Sequence, residues 1–398
     1  MHPNHRHAGA VNRRHVFYID GFDPKGPAHH HALYRRESAR QTMVSGVIIQ
    51  VGERLNLDRH SSQWQLSANE AGARTDTTYE YLRWDDIVRR HWPRGYMALS
   101  ASLVRTGWRY LKSGAWKRIA QASPGSQWAA ALPVAATLLT FGICVLAGGL
   151  GWKLAQAAGT AASLAAGMAA SAAALAAGMA VERRVNTGWL TRIYAFTWLQ
   201  AGAAVPGLEE RVDAFARSIA RAAQRSDLDE VLVVGYSTGS ILAVSALARA
   251  ARRALQEADG SLPPAPDAAA TRPALNLLTL AQCTPILSAL PQATGFRQEL
   301  ESLACGPPVA WFDVSSVIDL GAFPHLDPHA FAGVPGRGFA RLVSPRFHAL
   351  FGAQSYARFK RDKRRVHLQY LMAAEYPGVY DYFAITAGGM RLDERLAS

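Results

Sequence analysis

The sequence predicts an α/β fold: a mostly parallel, doubly wound sheet whose chain is interrupted by a two-helix transmembrane hairpin. Three observations carry this. An apolar, β-branched run, Val231-Leu232-Val233-Val234, leads into Gly235-Tyr236-Ser237-Thr238-Gly239 and then into a helical pattern over 241–251. Strand candidates alternate with helical patterns on either side of that motif, which argues for parallel pairing with helical crossovers. Between Arg118 and Val181 lie two long apolar runs whose only charge is Lys153.

Taken in order, residues 1–14 are rich in His and Arg and are expected to form a disordered tail. They lack the apolar core of a signal peptide. His2, His5 and His7 there would bind metal only adventitiously. Residues 16–19 read as a buried strand, 47–51 as the next, and 64–66 with 77–82 as a hairpin. Trp84 opens a helix with Asp85 and Asp86 in its first turn and Arg89 and Arg90 later, matching the helix dipole. Residues 97–119 mix Trp108, Tyr110 and Trp116 with Arg and Lys. Such a composition suits a helix in the lipid headgroup region or a plainly solvated one.

The hairpin is expected over 119–182, with spans at about 128–152 and 154–181. Each is long enough to cross a bilayer. Gly159, Gly167 and Gly178 give the second span a smooth face for close packing with a partner helix, including one from a second copy. Arg105, Arg109, Lys112, Lys117 and Arg118 precede the first span, and Arg183, Arg184 and Arg192 follow the second. The positive-inside rule then puts both flanks in the cytoplasm and the turn at Gly151-Trp152-Lys153 across the inner membrane. The other reading is an apolar hairpin buried in a soluble protein or oligomer.

Beyond the hairpin, 208–221 carries Leu208, Val212, Phe215 and Ile219 at helical spacing. The Gly-x-Ser-x-Gly strand follows. Residues 256–274, rich in Pro, Ala and Asp, read as a mobile surface loop. Residues 275–280 and 309–313 are two further strands, and 340–347 a third candidate. The resulting organisation is a tail (1–14), a first part of the α/β domain with a juxtamembrane helix (15–118), the hairpin (119–182) and a second part of the α/β domain (183–398).

Composition narrows the class. The chain has 398 residues, a formal net charge of +13 and three cysteines. Cys144, Cys283 and Cys305 are far apart and lack metal-ligand spacing, so a reducing compartment without a disulfide framework is expected. The positive balance suits an anionic partner. No nucleic-acid-binding signature is present, so a bilayer rich in anionic lipid is the expected partner.

The motif around Ser237 is a strand, a sharp turn and a helix with serine at the tip. Its glycines let neighbouring backbone pass closely, and the hydroxyl is expected to stand exposed above the sheet. The alternative is a plain turn in which Ser237 only caps the helix. Together with His15-Val16-Phe17-Tyr18-Ile19-Asp20-Gly21-Phe22-Asp23-Pro24, Trp311-Phe312-Asp313 with Asp319, and His367-Leu368-Gln369-Tyr370-Leu371, this motif resembles the α/β-hydrolase superfamily of serine hydrolases. The resemblance covers about residues 14–92 and 185–390. It is greatest to bacterial membrane hydrolases with an inserted transmembrane hairpin.

That resemblance implies a nucleophile, an acid and a histidine base in chain order. Ser237 is the nucleophile, flanked by the elbow glycines Gly235 and Gly239. Asp319 is the favoured acid, with Asp313 the alternate and Asp327 a turn former. His367, expected on a loop entering a helix, is the favoured base. His348 is the alternate, with His325 and His329 behind it. The oxyanion donors would be the backbone amides of Thr238 and Phe22, with Gly21 allowing close approach. Asp20 departs from the superfamily's usual His-Gly pair. His29, His30 and His31 are near enough in sequence to line a pocket. Neither a metal nor another cofactor is expected. The reading is a membrane-anchored, lipase-like carboxylesterase acting on a small-molecule or lipid ester. The alternative is a catalytically idle scaffold or interaction protein on the same fold. Two spans without intramembrane charge make a transporter a poor third.

Overall fold

The computed structural model describes residues 11–70, 72–93, 95–185, 188–259, 272–306, 309–335 and 340–397. The tail histidines His2, His5 and His7 and most of the expected loop at 256–274 lie outside them. Packing divides the chain into two units, His91–Leu199 and the remainder on either side of it. The first of these is wider than the hairpin expected at 119–182.

The larger unit is built on a nine-stranded, mostly parallel sheet. The strands are β1 (Arg13–Ile19), β2 (Ile48–Val51), β3 (Leu55–Asn56), β4 (Ser61–Glu70), β5 (Ala73–Leu82), β6 (Glu230–Tyr236), β7 (Ala274–Leu280), β8 (Ala310–Val314) and β9 (Arg341–Val343). Their order is β2-β4-β5-β1-β6-β7-β8-β9, with β3 on β4. From β5 to β9 every neighbouring pair is parallel, whereas β2, β3 and β4 join antiparallel. β1 lies between β5 and β6, so the chain order reverses there. The carboxyl ends of β1 and β6 flank that switch point, where open α/β sheets leave a crevice for ligands.

Both faces of the central strands are buried, which is why β6 reads as a continuous apolar run. Leu232, Val234 and Tyr236 join Val16, Tyr18 and Leu278 in one core on one face. On the other face Gly235 backs directly onto Ser240 and Ala243 of the helix Gly239–Asp259. That helix packs in turn on the amphipathic helix Leu208–Ala223. Each such buried aliphatic side chain stabilises the fold by roughly 1.5–3 kcal/mol.

Several boundaries differ from expectation for identifiable reasons. Arg13 and Arg14, expected in the tail, instead open β1. Arg14 is buried: its guanidinium donates to Glu230 (2.5 Å) and to the carbonyls of Gly388 (2.8 Å) and Met390 (2.7 Å). The hairpin runs over 61–70 and 73–82, far longer than expected, and turns at Gly72 with φ +86°. The strand expected over 340–347 stops at Val343, and Phe347–Ala349 is a 3-10 turn. The helix after Ser237 continues to Asp259, into the segment expected as loop.

The unit His91–Leu199 is helical: Tyr96–Lys112, Ala115–Ala122, Pro124–Leu154, Thr160–Val185 and Gly188–Ala201. The single helix expected over 97–119 breaks at Ser113 and Gly114, where Gly114 takes φ +74°. Two stretches are long and apolar enough to cross a membrane, Gly125–Leu154 and Thr160–Arg184. At 30 and 25 residues they extend about 45 and 38 Å, against a hydrocarbon core of about 30 Å. Leu138, Leu139, Phe141, Leu146 and Leu150 are exposed along the first, and Leu164 and Met168 along the second.

The two helices meet through small residues. A Cβ on Gly151 would lie 2.7 Å from the carbonyl oxygen of Ala166, and one on Gly167 would lie 3.0 Å from that of Gly148. A Cβ on Gly178 would collide with Thr140, and Ser171 donates to the carbonyl of Cys144 at 3.0 Å. The glycine face is therefore used within the hairpin. Gly159 is not part of it: it ends the connection at φ +93°, after a 3-10 turn at Gln156–Ala158. The turn thus spans 155–159, and Lys153 sits in the last turn of the first helix rather than in the connection.

Candidate active site

Ser237 follows β6 directly and takes φ +54°, a left-handed conformation that a non-glycine residue adopts only under constraint. The constraint is visible on both sides. Ser237 donates its backbone amide to the carbonyl of Leu280 at 2.8 Å, extending the β6–β7 ladder by one residue. Its own carbonyl then accepts from the Ser240 amide (3.1 Å) and hydroxyl (2.5 Å), opening the helix. Gly235 and Gly239 leave no room for a side chain. A Cβ on Gly239 would collide with the carbonyl oxygens of Ile19 and Asp20, and one on Gly235 would lie 2.6 Å from the Ser240 Cα.

His367 Nε2 lies 3.0 Å from Ser237 Oγ, and Nδ1 lies 2.9 and 3.1 Å from the two oxygens of Asp319. Asp319 is fixed in turn. Its Oδ1 accepts the Gly321 amide at 2.9 Å, and its own amide bonds the Ser316 carbonyl at 3.0 Å. A carboxylate on Nδ1 holds the imidazole in the tautomer that presents a bare Nε2 to the serine. Among the residues expected at the site, the structure brings Ser237, His367 and Asp319 together.

The alternates lie elsewhere. His348 is exposed and packs edge-on against Tyr356. Asp313 lies within β8, one residue before its end, with Oδ1 accepting from the Thr279 hydroxyl at 2.8 Å. Burial raises its carboxyl to about 7. Asp327 caps the helix Pro328–Ala332 by accepting the Ala330 amide at 2.8 Å. His329 packs against Trp311, and burial lowers its pKa.

Two expectations need correction. His367 is not on a loop entering a helix but near the end of the short helix Lys363–Leu368, which Asp362 caps. The break comes just after it, where the chain tightens into a 3-10 turn at Gln369–Leu371 and Tyr236 donates its hydroxyl to the His367 carbonyl at 2.8 Å. Ser237, expected to be exposed, is 1% exposed, and His367 is 7% exposed. A Cβ on Gly21 would lie only 3.1 Å from the Ser237 Cβ, Cys283 Sγ is 3.7 Å from its Oγ, and His367 closes the third side.

The loop after β1 supplies the near wall. Asp20 Oδ1 accepts the Gly21 amide (2.8 Å) and the Tyr18 hydroxyl (3.1 Å), and Oδ2 accepts from Tyr81 (3.2 Å). The Trp84 indole donates to the Asp20 carbonyl at 2.9 Å, and Phe22 packs beside that indole. Desolvation, aided by the nearby Asp23 carboxylate, raises Asp20 to about 7. The loop that carries Phe22 therefore meets the Ser237 side chain at Gly21, and Thr238 follows Ser237 along the chain.

His29–His31 do not form a lining. His30 is buried, stacked on Tyr18 and bonded to the Tyr79 hydroxyl at 2.8 Å, and burial lowers it to about 3. His31 bonds the Gly52 carbonyl at 2.9 Å, and His29 is exposed.

No family model, curated protein or solved structure matches the chain. Among the described residues no group of three or more His, Cys, Asp and Glu side chains is placed to hold a metal ion.

Two residues that sequence reasoning passed over touch the site. Cys283 Sγ bridges Ser237 Oγ and the Gly321 carbonyl (3.3 Å), and burial pushes its thiol up to about 12. A Cβ on Gly321 would lie 3.1 Å from His367 Nδ1. A signal for Cys283 was present: it lies just past the carboxyl end of β7, on the edge of the sheet where α/β sites assemble.

Proposed function

We propose that this chain is a membrane-anchored serine hydrolase of the α/β-hydrolase type that cleaves a carboxylic ester. The observation that carries the reading is Ser237 at φ +54°, with His367 Nε2 3.0 Å from its hydroxyl and Asp319 2.9 Å from the opposite ring nitrogen. A serine hydroxyl is a poor nucleophile without a base, and a histidine needs a carboxylate to fix its tautomer. Both needs are met at hydrogen-bonding distance.

In the mechanism, Ser237 Oγ attacks the ester carbonyl while His367 Nε2 takes its proton. The Thr238 and Phe22 amides would receive the developing oxyanion. His367 then protonates the leaving alcohol. A water, deprotonated by the same nitrogen, attacks the acyl-enzyme; the acid leaves and His367 returns the proton to Ser237 Oγ. Asp319 stabilises the transient imidazolium throughout. Burial of Ser237 removes bulk water from these hydrogen bonds, which strengthens them.

The two apolar helices anchor the protein in the inner membrane. Arg118 on one side of the hairpin and Arg183 on the other stay in the cytoplasm, with the catalytic unit. A lipid or lipophilic ester is the substrate this location favours. The rival, an idle scaffold on the same fold, predicts an inert Ser237. The test is hydrolysis of p-nitrophenyl esters of increasing chain length by the wild type and by Ser237→Ala. The variant should lose several orders of magnitude in kcat/KM, because only binding and oxyanion contributions remain. Residual activity within about tenfold of wild type would overturn the assignment.

A further inference from the structure

The helix Tyr96–Lys112 has two apolar faces, and only one is used. Leu99, Thr106 and Tyr110 are buried. Tyr110 packs edge-on against Tyr194 (5.2 Å), and the Arg109 guanidinium covers the Trp198 ring (5.4 Å). On the opposite side Met97, Val104, Trp108 and Leu111 are exposed, Val104 at 71% and Trp108 at 67%. At 100° per residue these four fall within about 40° of one line along the helix. Arg105 and Lys112 lie on one flank of that line.

The charge balance around this helix is one-sided. No acidic residue occurs between Asp86 and Glu182. The unit His91–Leu199 carries ten Lys and Arg against Glu182 alone, which is nine of the chain's thirteen net positive charges. Only twelve residues separate Lys112 from the start of the first apolar helix at Gly125. An exposed apolar line with a basic flank, held this close to a membrane span, matches what lets a helix lie in the plane of an anionic interface. The apolar side chains enter the acyl boundary while Arg and Lys reach the headgroups.

We propose that Tyr96–Lys112 is an interfacial helix whose Val104–Trp108 face docks on the cytoplasmic leaflet through anionic phospholipid. This rests on the membrane-anchored part of the reading above and not on hydrolysis. Anchoring by the neighbouring spans makes the docking intramolecular, so a modest affinity suffices to hold the helix down.

The test uses the full chain in nanodiscs of phosphatidylcholine, with or without phosphatidylglycerol. Photoreactive benzoylphenylalanine is placed in turn at Val104, Trp108, Leu146 within the first apolar helix, and Ile48, an exposed apolar residue on the sheet edge. Lipid adducts are read by mass. Adducts are expected at Leu146 in both lipids, at Val104 and Trp108 chiefly with phosphatidylglycerol, and not at Ile48. The double variant Arg105→Gln/Lys112→Gln should lower the Val104 adduct in phosphatidylglycerol by about fivefold per charge removed. Adducts at Leu146 but none at Val104 or Trp108 would overturn the proposal and leave the spans intact. Equal adducts in both lipids, unmoved by the double variant, would also overturn it. A missing Leu146 adduct would remove the spans and this proposal together. None of these readings depends on catalysis, and Ser237→Ala should give the same pattern.

Discussion

Gly321→Ala probes the site without touching a reacting atom. The added methyl would sit 3.1 Å from His367 Nδ1, 3.2 Å from Cε1 and 3.3 Å from Asp319 Oδ1. Contacts this close require the neighbour to give by a few tenths of an ångström. Gly321 has no left-handed φ, so its backbone accepts alanine. The ring is the part that yields, since it ends a side chain, and its movement lengthens the 3.0 Å bond to Ser237 Oγ. A 1 Å misplacement of a reacting group costs about 100-fold, so a shift of about a third of that should cost roughly fivefold in kcat/KM. Stability should barely change, because glycine-to-alanine replacement restricts the unfolded chain by about 0.4–1 kcal/mol and offsets the crowding. The assay is ester hydrolysis beside thermal unfolding. Gly295→Ala serves as control, because a Cβ there would meet nothing within 4 Å. Unchanged kcat/KM in Gly321→Ala with an unchanged melting temperature would show that turnover does not require His367 to hold its present position.

Other expectations follow from the same structure. Asp319→Asn should lower kcat by about 10⁴ by presenting the wrong histidine tautomer, while His348→Ala and Asp313→Asn should stay within about tenfold of wild type; a dead His348→Ala enzyme would move the base. His30 is held at about 3 in the fold and titrates near 6.5 when unfolded, so its contribution is complete above pH 6.5 and is lost as pH falls. The loss is about 2 kcal/mol at pH 5. His30→Phe should remove that share of the acid slope, measured by thermal unfolding of both proteins from pH 7 to 5, and identical slopes would contradict it. Asp20 and Asp313, both raised to about 7, act with the opposite sign but equally in both proteins. An impermeant maleimide should reach Gln156→Cys from outside intact cells and Lys117→Cys only after permeabilisation. Labelling of Lys117→Cys in intact cells, or extraction of the chain by carbonate alone, would rule out the spanning arrangement.

The local parts of this molecule were readable in the sequence, and the distant ones were not. The strand–turn–helix around Ser237 is encoded within about twenty consecutive residues, so its β-branched run and flanking glycines are sufficient to place it. Asp319 and His367 are 48 residues apart and meet only through the sheet. The family resemblance could rank them against Asp313 and His348, but nothing in the sequence shows their separation. Arg14 looked like tail because its partner, Glu230, is 216 residues away. Ser237 looked exposed because Gly21, Cys283 and His367, which cover it, come from three other segments. The hairpin turn was misplaced for a different reason: Lys153 is a good helix residue, so the helix runs on to Leu154 and the connection closes at Gly159, which takes a positive φ.

Covalent labelling of the folded protein with a fluorophosphonate, followed by peptide mapping, tests Ser237 as the nucleophile most directly. One adduct is expected, on Ser237, absent in Ser237→Ala and strongly slowed in His367→Ala. Folded protein that stays unlabelled, or that is labelled at another serine such as Ser240, would contradict it.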